Sequence, residues 1–81
     1  VTPRPRQNPK SQKALGAVVR ELRTEKGVSL EALAGEAGIT KNMLSLIERG
    51  EGNPSWSTVE GIAAALGIAV SQLARRAEQN R

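Results

Sequence analysis

Lys41, Asn42 and Ser45 lie within five consecutive positions and carry the groups that read base edges in the major groove of duplex DNA. A lysine ammonium donates to guanine O6 or N7, an asparagine amide pairs bidentately with adenine, and a serine hydroxyl approaches either. At an isolated helix start such residues are simply solvated, so their meaning depends on a scaffold that turns them outward together. The means of catalysis are poor by comparison. The 81-residue chain has no His and no Cys, and its acids are glutamates only: Glu21, Glu25, Glu31, Glu36, Glu48, Glu51, Glu60 and Glu78. They are scattered along the chain, and the one conceivable nucleophile pair, Ser11 and Lys13, falls at the edge of a tail. No enzyme, metal site or cofactor is expected.

The scaffold is legible around these residues. Over residues 30–49, Leu33, Ala34, Ala37, Ile39, Leu44 and Ile47 put apolar or small side chains on two short helical patterns separated by Gly38. Gly38 can supply the positive φ that reverses the chain, and Thr40 caps the next helix. This is the plan of a helix-turn-helix, with a helical hairpin inside a generic bundle as the alternative. Elsewhere Leu15, Val18, Val19 and Leu22 mark a helix over 13–25, and Ser29 caps a second helix that ends at Ala37. The third runs from Lys41 to Arg49, with Gly50 as its stop. A fourth follows Ser55 over 56–66, burying Val59, Ile62, Ala63 and Leu66. A fifth covers 70–78, with Leu73, Ala74 and Ala77 inward. Gly35 and Gly61 are costly inside helices, each by up to about 1 kcal/mol, unless Gly61 marks a close crossing. Ala69 offers no cap, so the fifth helix is expected to fray or begin late.

The charge is unevenly placed. Arg4, Arg6, Lys10 and Lys13 give the first thirteen residues four positive charges and no negative one, while residues 14–81 balance at eight of each. Pro3, Pro5 and Pro9 interrupt that stretch, so residues 1–12 are expected to form a flexible basic arm that grips phosphate or the minor groove. A solubilising tail is the alternative. No apolar run approaches the roughly 20 residues of a membrane span. A cytoplasmic protein, nucleoid-associated when bound to DNA, is expected. So small a bundle encloses a metabolite with difficulty, which argues against a small-molecule effector.

From Leu15 to Leu73 the chain resembles the lambda-repressor-like helix-turn-helix family of the Cro/CI or xenobiotic-response-element type. The resemblance rests on RELR before KG, the Ala34/Gly38/Ile39 turn, IERGEGNPS and the closing ALG. It implies an all-α, compact five-helix bundle over residues 13–79, with 80–81 as the C-terminal end. It also implies an ion pair between Arg23 and Glu48 that fixes the recognition helix. Base contacts fall on Lys41, Asn42, Ser45 and Leu46, and phosphate contacts on Arg49, Asn53, Ser55, Trp56 and Ser57, with free helix amides assisting. Trp56 is expected partly in the core. Two residues depart from the family pattern. Leu46 replaces a polar base reader and could meet a thymine methyl or pack on Trp56 or another protein, and Leu30 replaces a phosphate-binding glutamine. The implied function is a sequence-specific transcriptional regulator, binding a palindromic operator as a homodimer through Ile68, Val70, Leu73 and Ala77 of the fifth helix. A protein-interaction module, such as an antitoxin or a scaffold that does not read DNA, is the alternative.

Overall fold

The computed structural model describes residues 9–80 and arranges them as five helices: α1 (Pro9–Glu25), α2 (Leu30–Ala37), α3 (Lys41–Glu48), α4 (Trp56–Leu66) and α5 (Val70–Gln79). Three starts are set by a hydroxyl that accepts the amide three residues on: Ser29 from Ala32 at 3.0 Å, Thr40 from Met43 at 3.1 Å and Ser55 from Thr58 at 3.2 Å. Each satisfies one of the amides that a helix beginning leaves without a partner. Gly38, at φ 75°, ends α2 in the left-handed region, and the following Ile39 N–H returns to the Ala34 carbonyl at 3.0 Å. Gly67 and Ile68 repeat the same closure after α4. The turn between α2 and α3 is thus written in three adjacent residues.

Two ends differ from expectation. Helix α1 begins at Pro9, four residues before position 13, so residues 9–12 are helical and do not belong to the arm. Proline suits the first helical turn, where its fixed φ is already helical and its missing N–H has no partner to lose. Helix α5 starts on time at Val70 although Ala69 cannot cap it, because the Gln72 side-chain oxygen reaches back to accept the Ala69 N–H at 2.9 Å. Half of a capping box does the work. Ala74, expected inward, is exposed, while Leu73 is fully buried.

The core joins all five helices through Val18, Val19, Leu33, Ala34, Leu44, Ile47, Ile62, Ala63, Leu66 and Leu73. These are aliphatic side chains throughout. Trp56, the only aromatic residue, is 66% exposed and is not core. Two glycines let helices approach at backbone distance. A Cβ on Gly61 would lie 2.6 Å from the Ala37 carbonyl oxygen, where α4 crosses the end of α2. A Cβ on Gly16 would collide with the Ile47 and Glu48 carbonyls, where α1 crosses the end of α3.

At that second crossing Arg23 reaches Glu48. Its Nε donates to Oε2 at 2.7 Å and its Nη2 to Oε1 at 3.0 Å, while Nη1 donates to the Val28 carbonyl at 3.0 Å. The two side chains are 15% and 7% exposed. The hydrogen bonds to Glu48 raise the Arg23 pKa above its usual value, against the opposing pull of burial. The guanidinium therefore stays charged, and its contribution to stability is lost only as pH rises through that raised value. Just past the C-terminus of α1, Lys26 donates to the Leu66 carbonyl at 3.1 Å and closes the C-terminus of α4.

Alanine at the two remaining helical glycines acts in opposite directions. On Gly35 an added Cβ meets nothing within 4 Å, so Gly35→Ala raises stability by about 0.5–1 kcal/mol. Gly61→Ala lowers it by about 1–3 kcal/mol, because backbone must give way. Thermal melts show the first protein roughly 4 °C above the parent and the second below it. Removing one member of the ion pair, as in Glu48→Ala, strands a nearly buried guanidinium and costs about 3 kcal/mol. Arg23→Met combined with Glu48→Leu recovers most of that loss in urea unfolding, since an apolar pair of similar volume leaves no charge behind.

Candidate nucleic-acid interface

Helix α3 turns Leu44, Ile47 and Glu48 inward, which fixes what its other side presents. At 100° per residue, Asn42, Leu46 and Arg49 form the outward ridge, with Lys41 and Ser45 on one flank and Met43 on the other. Asn42, Met43, Leu46 and Arg49 are exposed and Ser45 is half-buried. The only acid in α3, Glu48, is held inside by Arg23. The outward face therefore carries no negative side chain of its own. Lys41 leans toward α2, with its Nζ 3.9 Å from the Glu31 carboxylate. Both groups are well exposed, so that pair is weak and easily exchanged.

The segment after α3 wraps back along the same side. Arg49 folds along its own helix, its Nε 3.4 Å from the Ser45 carbonyl and 3.7 Å from the Glu51 carboxylate. Asn53 accepts from the Gln12 amide of α1 at 3.5 Å. Lys13 passes so close to Gly50 that a Cβ there would sit 2.7 Å from Lys13 Cγ. The first turns of α1 thus lie beside the end of the recognition helix. At the start of α4, the Ser55 hydroxyl stands 3.1 Å from the Ser57 hydroxyl and 2.9 Å from that of Thr58. It caps the Thr58 amide, so the amides of exposed Trp56 and Ser57 remain at the positive end of the helix dipole.

Several expected site residues fall elsewhere or in different company. Leu46 and Trp56 border different clefts: Leu46 lines one of about 360 Å³ with Met43, Gly52 and Pro54, and Trp56 lines one of about 230 Å³ between α1, α4 and α5. Leu73, expected to offer surface to a second subunit, is 1% exposed and spent on the core. Ile68, Val70 and Ala77 are half-covered. Leu30 packs against the core, which accounts for an apolar residue where a phosphate-binding glutamine is usual. Lys10 and Lys13 belong to α1, and Arg4 and Arg6 lie outside the described residues.

Gln12, Gly16 and Met43 were not legible as contributors. Gln12 and Gly16 act through partners more than thirty positions away, which no local pattern reveals. Met43 did leave a signal. Four apolar residues in the five positions 43–47 are more than one face of a helix can bury. Among the described residues, no group of three or more His, Cys, Asp or Glu could hold a metal ion, and no single helix is long and apolar enough to cross a membrane.

Comparison with known proteins gives the arrangement its relatives. A family model described as a helix-turn-helix domain matches residues 14–77. The transcriptional regulator DdrOP3 of Deinococcus deserti is 46% identical over 55 residues, which is 68% of this chain and 43% of that protein. SinR of Bacillus subtilis is 42% identical over 60 residues, 73% of this chain and 54% of that one. The chain spans about half the length of these curated relatives. Among solved structures, the clp gene regulator ClgR of Corynebacterium glutamicum superposes with a TM-score of 0.82 at 31% identity, over 99% of this chain and 97% of that one. SinR in complex with DNA matches with a TM-score of 0.68 at 42% identity, over 73% and 95%. On the sequence pattern, the five-helix architecture and these matches together, the chain belongs to the helix-turn-helix domain family in its Cro/CI-like, xenobiotic-response-element form.

Proposed function

We propose that the protein is a sequence-specific regulator of transcription that places α3 in the major groove of duplex DNA. The observation that carries this reading is the outward face of α3, which presents Lys41, Asn42 and Ser45 while its single acid is turned inward to Arg23. The likeness to SinR, solved in complex with DNA, supports it. Asn42 and Ser45 read base edges, Lys41 exchanges Glu31 for a guanine, and Leu46 makes an apolar contact. Arg49, Asn53, Ser55, Trp56, Ser57 and Lys13 flank that face and meet the phosphates, the α4 amides among them. Lys10, Arg4 and Arg6 add positive charge at the same end of the chain. DNA binding of this kind places the protein in the cytoplasm and on the nucleoid.

We further assign it a palindromic operator and a two-fold dimer. Two recognition helices then meet half-sites one helical turn, about 34 Å, apart. The surface that supports pairing is the apolar cleft beside exposed Trp56, walled by Leu15, Val59, Val70 and Ala77, to which Leu73, 1% exposed, adds little surface. If the chain were only an interaction module, nothing would require polar groups to converge on α3.

Selection from a random duplex pool followed by salt titration tests this reading. Asn42→Ala weakens the selected site by about 1–3 kcal/mol and relaxes preference at one position. Arg49→Ala weakens all sequences alike and lowers the salt slope by about 0.9, and deleting residues 1–8, with Arg4 and Arg6, lowers it by up to about 1.8. Salt-sensitive binding without sequence preference would count against specific regulation. In sedimentation of the operator complex, two chains occupy each full site. Ala74→Glu, which puts a charge into the cleft beside Trp56 at an exposed position, reduces that to one chain at moderate concentration.

A further inference from the structure

We infer that Met43 and Leu46 form a seat for the C5-methyl group of a pyrimidine in the major groove, so that DNA affinity depends on that methyl. This rests on the DNA-binding reading of α3 and specifies one of its contacts. Only three large apolar side chains are exposed among the described residues: Met43 at 44%, Leu46 at 39% and Trp56 at 66%. Two of the three therefore lie on one short helix, on the side that also presents Asn42 and Arg49. Scattered exposed hydrophobes are ordinary on any surface. A pair sharing one cleft among base-reading groups is not scattered.

The cleft is also held in shape. The Leu46 carbonyl accepts the N–H of Glu51 at 2.9 Å and of Gly52 at 3.2 Å, so the loop closes around the leucine. A Cβ on Gly52 would stand 3.5 Å from Leu46 Cβ and 3.3 Å from Ile47 Cγ1, which shows how closely the loop backbone lies against both side chains. Pro54 and Thr58 complete the far wall. Leu46 can make no hydrogen bond, so it cannot read a donor or acceptor on a base edge. A methyl is the one apolar group that bases display in the major groove, on thymine C5 and equally on 5-methylcytosine. Met43 adds a flexible, polarisable thioether that adapts to the approaching methyl. Asn53 and Ser55 border the same cleft and, with the α4 amides, suit a phosphate, whereas the side chains of Met43, Leu46 and Pro54 offer a phosphate no N–H or O–H donor.

The test uses the duplex selected from a random pool, with single-atom changes in the DNA. Each thymine is replaced in turn by deoxyuridine, and each cytosine by 5-methylcytosine. At one position in each half-site, loss of the thymine methyl weakens binding about fourfold, the effect of one buried methyl. If 5-methylcytosine is the natural source, a cytosine position shows a gain of similar size instead. In Leu46→Ala the response at that position falls to nearly none while the preference read by Asn42 persists. The exposed site leaves folding intact, and the deoxyuridine series on the parent protein needs no variant at all. The inference is overturned if no position responds to either change, or if Leu46→Ala keeps the full methyl response. It is also overturned if Leu46→Ala abolishes pairing of chains in sedimentation with its DNA preference unchanged, since a second copy then occupies the cleft. Failure to select any preferred sequence would instead remove the DNA-binding reading itself.

Discussion

The bidentate contact between Arg23 and Glu48 is the constraint on which the orientation of α3 depends. An eight-residue helix has little stability of its own, and it buries only Leu44 and Ile47 fully. Two aliphatic side chains can fix how deep a helix sits but resist rotation about its axis poorly. A fork of two short hydrogen bonds, off that axis and near the helix end, resists it well. The Gly16 crossing then sets the distance at the same point, because backbone meets backbone there. Position and rotation of the recognition face are both determined within the last turn of α3, at Ile47 and Glu48.

Placing Glu48 inside has an electrostatic effect on the opposite side of the helix. With its acid paired, α3 contributes no negative charge to the surface that would face a polyanion. Arg49 and Lys41 remain available because their partners, Glu51 and Glu31, are exposed and bind them weakly. One ion pair is strong because it is nearly buried and doubly bonded, and two are weak because they are wet. The contrast separates the pair that builds the fold from the charges free to bind a ligand.

Much of this was legible in the sequence because its signals are local. Ser29, Thr40 and Ser55 act on amides three residues away, and Gly38 acts on its own φ, so helix ends could be read directly. Leu33, Leu44, Ile62 and Leu66 follow the helical period, so the core could be read as well. What escaped depends on partners distant in sequence. Gly16 is a weak helix residue until α3 crosses it, and Gln12 is a tail residue until Asn53 meets it. Trp56 misled for another reason. A lone aromatic in an aliphatic chain suggests a core, yet here the aliphatic residues fill the core among themselves. Pro9 misled similarly, since a third proline reads as tail although the first turn of a helix accepts one.

Trp56 gives the molecule an unusual optical character. With no Tyr or Phe in the chain, near-ultraviolet absorption and emission both come from this one indole, and two-thirds of it already faces solvent in the folded state. Its emission should therefore change little when the helices come apart, so an unfolding curve recorded by fluorescence would be nearly silent while helical circular dichroism collapses. The same indole sits at the first residue of α4, beside the amides and the cleft where other molecules are expected to arrive. Its spectrum shifts when something covers that corner. The chain carries a built-in reporter that is almost blind to folding and sensitive to company.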